Sequence, residues 1–135
     1  FCSSHLSHKK WPHYNELIEL IKNKYQDQFI IVVAPSPEEI SEAKKINAVC
    51  VLDENKALNI LQLSSLIKES SFVIANDTGP AHMAAHLNVK GLTLFGSHTT
   101  AKKVSIERDK FKAIQVTDLD KLSAKNVFEK IFNEL

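Results

Sequence analysis

The residues best suited to chemistry lie in the segment Asn76-Asp-Thr-Gly-Pro-Ala-His82, which joins an apolar stretch to the start of a predicted helix. A helix start presents unpaired backbone N–H groups and about half a positive charge. Thr78 and Gly79 can direct those donors toward an anion, and Gly79 admits a phosphate closely because it has no Cβ. His82 lies in the same first turn. The segment therefore predicts a phosphate site, the alternative being an ordinary helix start capped by Asp77 or Thr78.

A second candidate is Lys9, in the sequence Lys9-Lys10-Trp11-Pro12. A lysine in a loop before a helix can neutralise a diphosphate as a mobile point charge. The alternative is a solvated basic pair beside a Trp that packs on the first helix.

Two further polar segments follow apolar stretches. Ser36-Pro-Glu38-Glu39 offers carboxylates that can accept hydrogen bonds from a ribose or sugar, or that only stabilise a helix dipole. The segment Gly96-Ser-His-Thr-Thr100 offers backbone and hydroxyl donors, or is an ordinary polar loop.

The sequence argues against metal chemistry and against two common nucleotide fingerprints. His82 and His86 have the spacing of a two-His metal site, but Met83 stands where metalloproteases need Glu, and no third ligand is evident. We therefore expect no metal and no bound cofactor. Three glycines in the whole chain exclude the usual Rossmann and P-loop motifs.

The elements that must position these residues alternate between strands and helices. Spacings of three and four among Tyr14, Leu17, Ile18 and Ile21 predict the first helix. Strands are predicted at 1–4 (the tail of one), 29–34, 48–52, 72–75, 91–95 and 113–116, and further helices at 36–46, 60–67, 80–87 and 123–135. This order predicts an α/β fold, an open parallel sheet with helices on both faces. Ligands of such sheets bind beyond the carboxyl ends of the strands, where all the polar segments lie.

Length and composition limit the number of domains and the classes of partner that we expect. The chain has 135 residues, 44% hydrophobic and 24% charged, which predicts a single domain, 1–135, with its own core. Seventeen basic and sixteen acidic residues leave a charge of +1, so we expect no nucleic-acid partner. Two cysteines cannot build a disulfide scaffold. The chain begins with Phe1 and has no signal peptide, and we expect it to be part of something longer.

Taken together, the motifs resemble a known family. Lys-x-Trp-Pro, an acid-bearing loop, Asn-Asp-Thr-Gly-Pro-x-His-x-Ala and Leu-Phe-Gly occur here in that order, over nearly the whole chain. This order resembles the carboxyl-terminal half of the ADP-heptose:lipopolysaccharide heptosyltransferases, glycosyltransferase family 9. The resemblance implies a GT-B architecture, in which two Rossmann-like domains face a cleft and the carboxyl-terminal domain binds the nucleotide-sugar donor. The family is inverting and is not known to need a metal.

The resemblance also implies roles for particular residues. Lys9 would contact the diphosphate of the donor and stabilise the leaving group, and either Glu38 or Glu39 would approach the ribose or adenine. The implied donor-binding residues are Lys9, Glu38, Glu39, Asp77, Thr78, Gly79, His82 and Gly96. Two departures from the family pattern bear on them. Ala34-Pro-Ser-Pro37 replaces a Gly-rich stretch, and Ser97-His98 follows Leu-Phe-Gly where the family usually has Pro.

The function implied is transfer of a sugar, heptose in this family, from an ADP-sugar to a lipopolysaccharide core or other glycan acceptor, with inversion. The general base would lie in the amino-terminal acceptor domain, outside this chain. The resemblance implies the cytoplasm of a Gram-negative bacterium, at the inner face of the inner membrane, with peripheral membrane contact left open. Two alternatives stay open: a stand-alone, non-catalytic nucleotide- or phosphate-binding module, and a related GT-B enzyme such as a nucleotide-sugar epimerase.

Overall fold

The computed structural model describes residues 7–132, and two predictions lie outside that range: the strand tail at 1–4 and the end of the last helix at 133–135. The helices are α1 (Tyr14–Tyr25), α2 (Ile40–Ala43), α3 (Ile60–Glu69), α4 (Gly79–His86), α5 (Ala101–Val104) and α6 (Ala124–Ile131). The strands are β1 (Val32–Val33), β2 (Val49–Cys50), β3 (Val73–Asn76), β4 (Gly91–Phe95) and β5 (Phe111–Gln115). Strands and helices alternate as predicted.

All strand pairs between these elements are parallel. Strands β3, β4 and β5 form one sheet in that order, with Val73 opposite Gly91 and Gly91 opposite Phe111. Strands β1 and β2 form a second, two-stranded sheet. The predicted α/β class is therefore confirmed. Among residues 7–132 the strands divide into two sheets rather than one, because no backbone pairing joins β1 to β3.

An apolar cavity of about 520 Å³ lies between the two sheets. Residues of β1, β3 and α1 line it, among them Val33, Ile74 and Leu17. None of the predicted site residues belongs to its lining, so this cavity is distinct from the candidate site.

The helices cover both faces of the three-stranded sheet, as expected from side chains that alternate across a strand. On one face, Leu92 and Leu94 of β4 pack in a core cluster with α1 and α6. On the other face, Phe95 packs with α3 and α4 residues such as Ile67 and Ala84. Every residue of β4 is buried, which explains why its sequence is apolar except for Thr93.

Several element predictions differ from the structure in their bounds. The predicted strand at 29–34 is reduced to Val32–Val33, the one at 48–52 to Val49–Cys50, and the one at 113–116 is observed at Phe111–Gln115. The predicted helix at 36–46 divides into a 3₁₀ turn (Pro37–Glu39) and α2, which ends at Ala43 before the exposed residues Lys44 and Lys45.

The longest described helix, α1, has 12 residues, and no helix within 7–132 has the length and apolar character needed to cross a membrane.

Candidate functional site

The centre of the candidate site is Asp77, which directly follows β3 and is 7% exposed. Three basic side chains from three different segments converge on its carboxylate. His98 Nε2 lies 2.9 Å from Oδ2, Lys9 Nζ lies 3.5 Å from Oδ2, and His82 Nε2 lies 3.4 Å from Oδ1. These residues meet because the ends of parallel strands share one edge of the sheet. We call these four residues the Asp77 cluster.

The cluster holds Asp77 in its charged form. Burial by itself raises the pKa of the Asp77 carboxyl. The hydrogen bond from His98, the positive charge of Lys9 and the hydrogen bond from His82 together outweigh burial, so the pKa lies below its usual value. The site thus contains one fixed negative charge surrounded by three basic groups.

Lys9 is positioned by the residues on either side of it. It ends a 3₁₀ turn (Ser7–Lys9), and two residues later Trp11 is 2% exposed, with its indole N–H donating to the Leu122 carbonyl at 2.7 Å. The Trp11 ring also meets the Tyr14 ring of α1 edge-on, so the predicted packing of this Trp on the first helix is confirmed. The buried indole fixes the backbone beside Lys9 while leaving its long side chain adjustable.

The neighbouring lysine has a different environment. Lys10 Nζ contacts both carboxylate oxygens of Glu42, at 3.0 and 2.9 Å. Lys9 therefore belongs to the Asp77 cluster, whereas its neighbour Lys10 forms an exposed ion pair with Glu42 of α2.

The start of α4 is built differently from an ordinary capped helix. Thr78 occupies the N-cap position, yet its side chain makes no capping hydrogen bond, and its hydroxyl donates to the Asn76 carbonyl at 3.3 Å. The Asp77 carboxylate is engaged by the basic groups of its cluster. Of the two N-cap candidates, Thr78 holds the position, but its side chain does not cap the helix, and Asp77 is not the N-cap residue. A Cβ built on Gly79 would meet no atom within 4 Å, so there is open space beside the Gly79 Cα at the start of the helix.

Asn76 links this loop to α1. Its side chain is fully buried, and its Oδ1 accepts a hydrogen bond from the Tyr14 hydroxyl at 2.9 Å. Its Nδ2 has no hydrogen-bond partner among the described residues. The sequence spacing places Tyr14 on the apolar face of α1 and does not predict this contact. A buried Tyr usually has a hydrogen-bond partner for its hydroxyl, which was the available signal.

The structure groups most, but not all, of the predicted site residues. Lys9 and His82 each contact Asp77, and Thr78 and Gly79 lie between Asp77 and His82 in the chain. Gly96 adjoins the Lys9 turn, because a Cβ on it would approach the His8 carbonyl oxygen at 3.4 Å.

The two glutamates after β1 are not among the contacts of the Asp77 cluster. Glu39 is buried, and its Oε2 accepts hydrogen bonds from the hydroxyl (2.8 Å) and the N–H (3.4 Å) of Ser36. Glu38 is exposed. A contact from either glutamate to a ribose or adenine stays a prediction.

His98 is the member of the cluster that was not among the predicted site residues. Its ring stacks on Phe95 with an interplanar angle of 17°, and its side chain is 12% exposed. Its position in the loop after β4, the strand next to β3, was the available signal, because loops at neighbouring carboxyl ends meet.

No group of three or more His, Cys, Asp or Glu side chains that could hold a metal ion occurs within residues 7–132. The expectation of a metal-free site stays a prediction.

The parallel sheets and the helices that cover them define an α/β domain, with a cluster of basic side chains at the carboxyl edge of its three-stranded sheet. The family model for glycosyltransferase family 9 (heptosyltransferase) matches residues 1–131, and the chain therefore belongs to that family. No curated protein matches it.

Solved structures support the fold. E. coli heptosyltransferase WaaC with ADP-2-deoxy-2-fluoro heptose matches with a TM-score of 0.80 and 22% identity, over 98% of this chain and 41% of that one. E. coli ADP-heptose lps heptosyltransferase II matches at 0.76 and 21%, over 93% and 42%. A family 9 glycosyl transferase from Veillonella parvula matches at 0.79 and 12%, over 98% and 44%. The chain spans about two-fifths of the length of these proteins.

Proposed function

We propose that this chain is the donor-binding part of an inverting glycosyltransferase and that the Asp77 cluster receives the diphosphate of a nucleotide-sugar. The observation that carries the proposal is the convergence of Lys9 and His82 at the start of α4, beside the open space at Gly79. A flexible cation, an imidazole and a helix N-terminus are three groups that favour a phosphate oxygen.

The same groups suit the chemistry of transfer. When the acceptor hydroxyl attacks the anomeric carbon, the bond to the diphosphate breaks and negative charge grows on the departing oxygen. Lys9 and the N–H groups at the start of α4 would stabilise that charge. Attack from the face opposite the leaving group inverts the anomeric centre. The general base that deprotonates the acceptor would come from outside this chain.

Two of the matched structures support a choice of nucleotide and sugar. One matched WaaC structure carries ADP and another carries ADP-2-deoxy-2-fluoro heptose. We propose an ADP-sugar donor here, with heptose as the sugar and a lipopolysaccharide core as the acceptor. The reaction would take place in the cytoplasm, at the inner face of the inner membrane.

Titration calorimetry of the 135-residue chain with ADP, UDP and GDP tests the donor site. We expect ADP to bind more tightly than UDP or GDP, and ADP-heptose to compete with it. Tighter binding of UDP or GDP would reject the ADP-sugar, and no binding of any nucleotide at millimolar concentration would reject the donor site. Inorganic pyrophosphate binding as tightly as ADP would favour the stand-alone phosphate-binding module.

A pair of lysine variants locates the bound diphosphate. Lys9→Ala removes one charge-assisted contact, and we expect ADP affinity to fall roughly 10- to 100-fold. Lys10→Ala is the matched control, because Lys10 is the adjacent residue and pairs with Glu42 instead. Equal losses in the two variants would show that the general positive charge of this loop, and not the position of Lys9, determines binding.

A further inference from the structure

Two basic groups in the Asp77 cluster approach the same oxygen. His98 Nε2 lies 2.9 Å from Asp77 Oδ2, a normal hydrogen-bond distance, whereas Lys9 Nζ lies 3.5 Å from that oxygen. The second distance exceeds the range of a direct N–H···O hydrogen bond. His98 is therefore the closer partner of this oxygen, and Lys9 lies beside it at ion-pair distance without a direct hydrogen bond.

The exposure of the three basic side chains follows a gradient. His98 is 12% exposed, Lys9 is 25% exposed and His82 is 36% exposed. His98 is also held in place, because its ring stacks on Phe95 and lies 5.7 Å from the ring of His8. The group that bonds Asp77 most closely is thus the most buried one, and the two that could reach a ligand are more exposed and more loosely engaged.

A carboxylate at an anion site lowers the affinity for the anion in two ways. It repels a diphosphate, and it can neutralise the lysine that should bind that diphosphate. A close, partly buried Lys–carboxylate pair would have to be broken before the lysine could contact the ligand, at a cost in affinity.

We propose that His98 is a positioning residue that keeps Lys9 available to the diphosphate by holding Asp77 Oδ2. This inference rests on the proposed donor site and goes beyond it, because His98 acts through Asp77 and Lys9 and need not touch the ligand. The hydrogen bond from Nε2 is the operative contact, so a side chain that still donates from that position should substitute for His98.

Three variants test this by ADP titration. His98→Leu keeps an apolar side chain against Phe95 but removes the donor, and we expect ADP affinity to fall roughly tenfold. His98→Gln retains an N–H near the position of Nε2 and should stay within about threefold of the wild type. In an Asp77→Asn background, where Lys9 has no carboxylate to pair with, His98→Leu should cause no loss.

A merely structural role would give a different pattern. Adenosine, which lacks the phosphates, should bind the wild type and His98→Leu equally, whereas a distorted pocket would bind both ligands less well. His86→Leu, a change at an exposed histidine at the end of α4, is the control for loss of a histidine. Persistence of the His98→Leu loss in the Asp77→Asn background would overturn the proposal.

A ligand-free measurement separates this proposal from the donor site itself. Lysines are acetylated with a limiting reagent and quantified by mass spectrometry, with Lys10 as the internal standard. In His98→Leu, Lys9 should close on Asp77 and its acetylation should slow severalfold relative to Lys10, and Asp77→Asn should abolish the slowing. An unchanged Lys9 rate in His98→Leu overturns the role of His98, even in a protein that binds ADP. A slowed rate without nucleotide binding supports it and rejects the donor site instead.

Discussion

The two strand-to-helix loops after β1 and β3 contain similar types of residue but differ in what their carboxylates contact. Each places a proline in the first turn of a helical segment and an acidic residue nearby, at Ser36–Glu39 and at Asp77–Pro80. In the first loop, the Glu39 carboxylate turns back onto Ser36 and forms a capping box. In the second, the Asp77 carboxylate engages Lys9, His82 and His98.

The difference shows how a helix start becomes a binding site. In the first loop the Glu39 carboxylate is used locally: Oε2 accepts from Ser36, and Oε1 is buried without a hydrogen-bond partner among the described residues. In the loop at Asp77, the carboxylate instead contacts residues from other segments, and the N-cap residue of α4 makes no side-chain capping hydrogen bond. Each prediction below tests one side of this contrast.

The largest expected effect is on the stability of the second loop. Asp77→Ala leaves Lys9 without its counter-ion and the mostly buried His98 without its hydrogen-bond acceptor, and we expect the free energy of unfolding to fall by about 2–3 kcal/mol. Urea denaturation followed by circular dichroism measures it. A loss below about 0.5 kcal/mol would mean that the cluster contributes no more than an exposed ion pair.

The lowered pKa of Asp77 fixes the sign of a pH effect. Because the folded-state pKa lies below the unfolded value, the stabilisation is complete above the unfolded pKa and is lost as the pH falls through the folded pKa. The stability difference between wild type and Asp77→Asn should therefore shrink between about pH 5 and pH 2. A difference that grows on acidification would contradict the charged state assigned to Asp77.

The next largest effect separates binding from folding at Gly79. A Cβ there enters open space, so Gly79→Ala should leave the free energy of unfolding unchanged or raise it by up to about 0.5 kcal/mol. The same methyl group stands where a phosphate would approach the helix, and ADP affinity should fall about tenfold. Calorimetry and urea denaturation of one sample measure both. Undiminished ADP affinity would place the phosphate elsewhere.

The smallest effect belongs to the first loop. Ser36→Ala removes the hydroxyl that donates to Glu39, and we expect a loss of about 1 kcal/mol in the free energy of unfolding with ADP affinity unchanged. Glu38→Gln, at the exposed neighbour, is the companion variant. If Glu38 contacts the ribose, this variant lowers the affinities for ADP and for adenosine equally and leaves the free energy of unfolding unchanged. A change in ADP affinity in Ser36→Ala would instead give this loop a part in binding.

The sequence predicted the order of elements well because periodicity and burial are local signals. Strand β4 was predicted at its observed bounds, since a buried strand is mostly apolar in sequence. The division between the two sheets was not predictable, because it depends on which strands pair over long distances. Within the site, motif chemistry indicated Lys9, Asp77 and His82, and the structure places Lys9 and His82 against Asp77, while their contacts with a donor stay predictions.

His98 shows what such reasoning misses. From the sequence, the segment Gly96–Thr100 predicts backbone and hydroxyl donors, and the imidazole of His98 stands out only as a departure from the family pattern. Its contact with Asp77 joins residues 21 positions apart through the alignment of two neighbouring strands. Only the register of β3 against β4 determines that this side chain, and not Ser97 or Thr99, reaches the carboxylate.

The Trp11 hydrogen bond to Leu122 joins two segments that lie far apart in the chain. It connects residues 111 positions apart, and the backbone beside Lys9 is anchored by it. Closing a loop of that length costs conformational entropy that the rest of the fold must offset. The position of Lys9 therefore depends on the segment before α6, and a substitution that detaches this segment should displace Lys9 without altering the loop at Asp77.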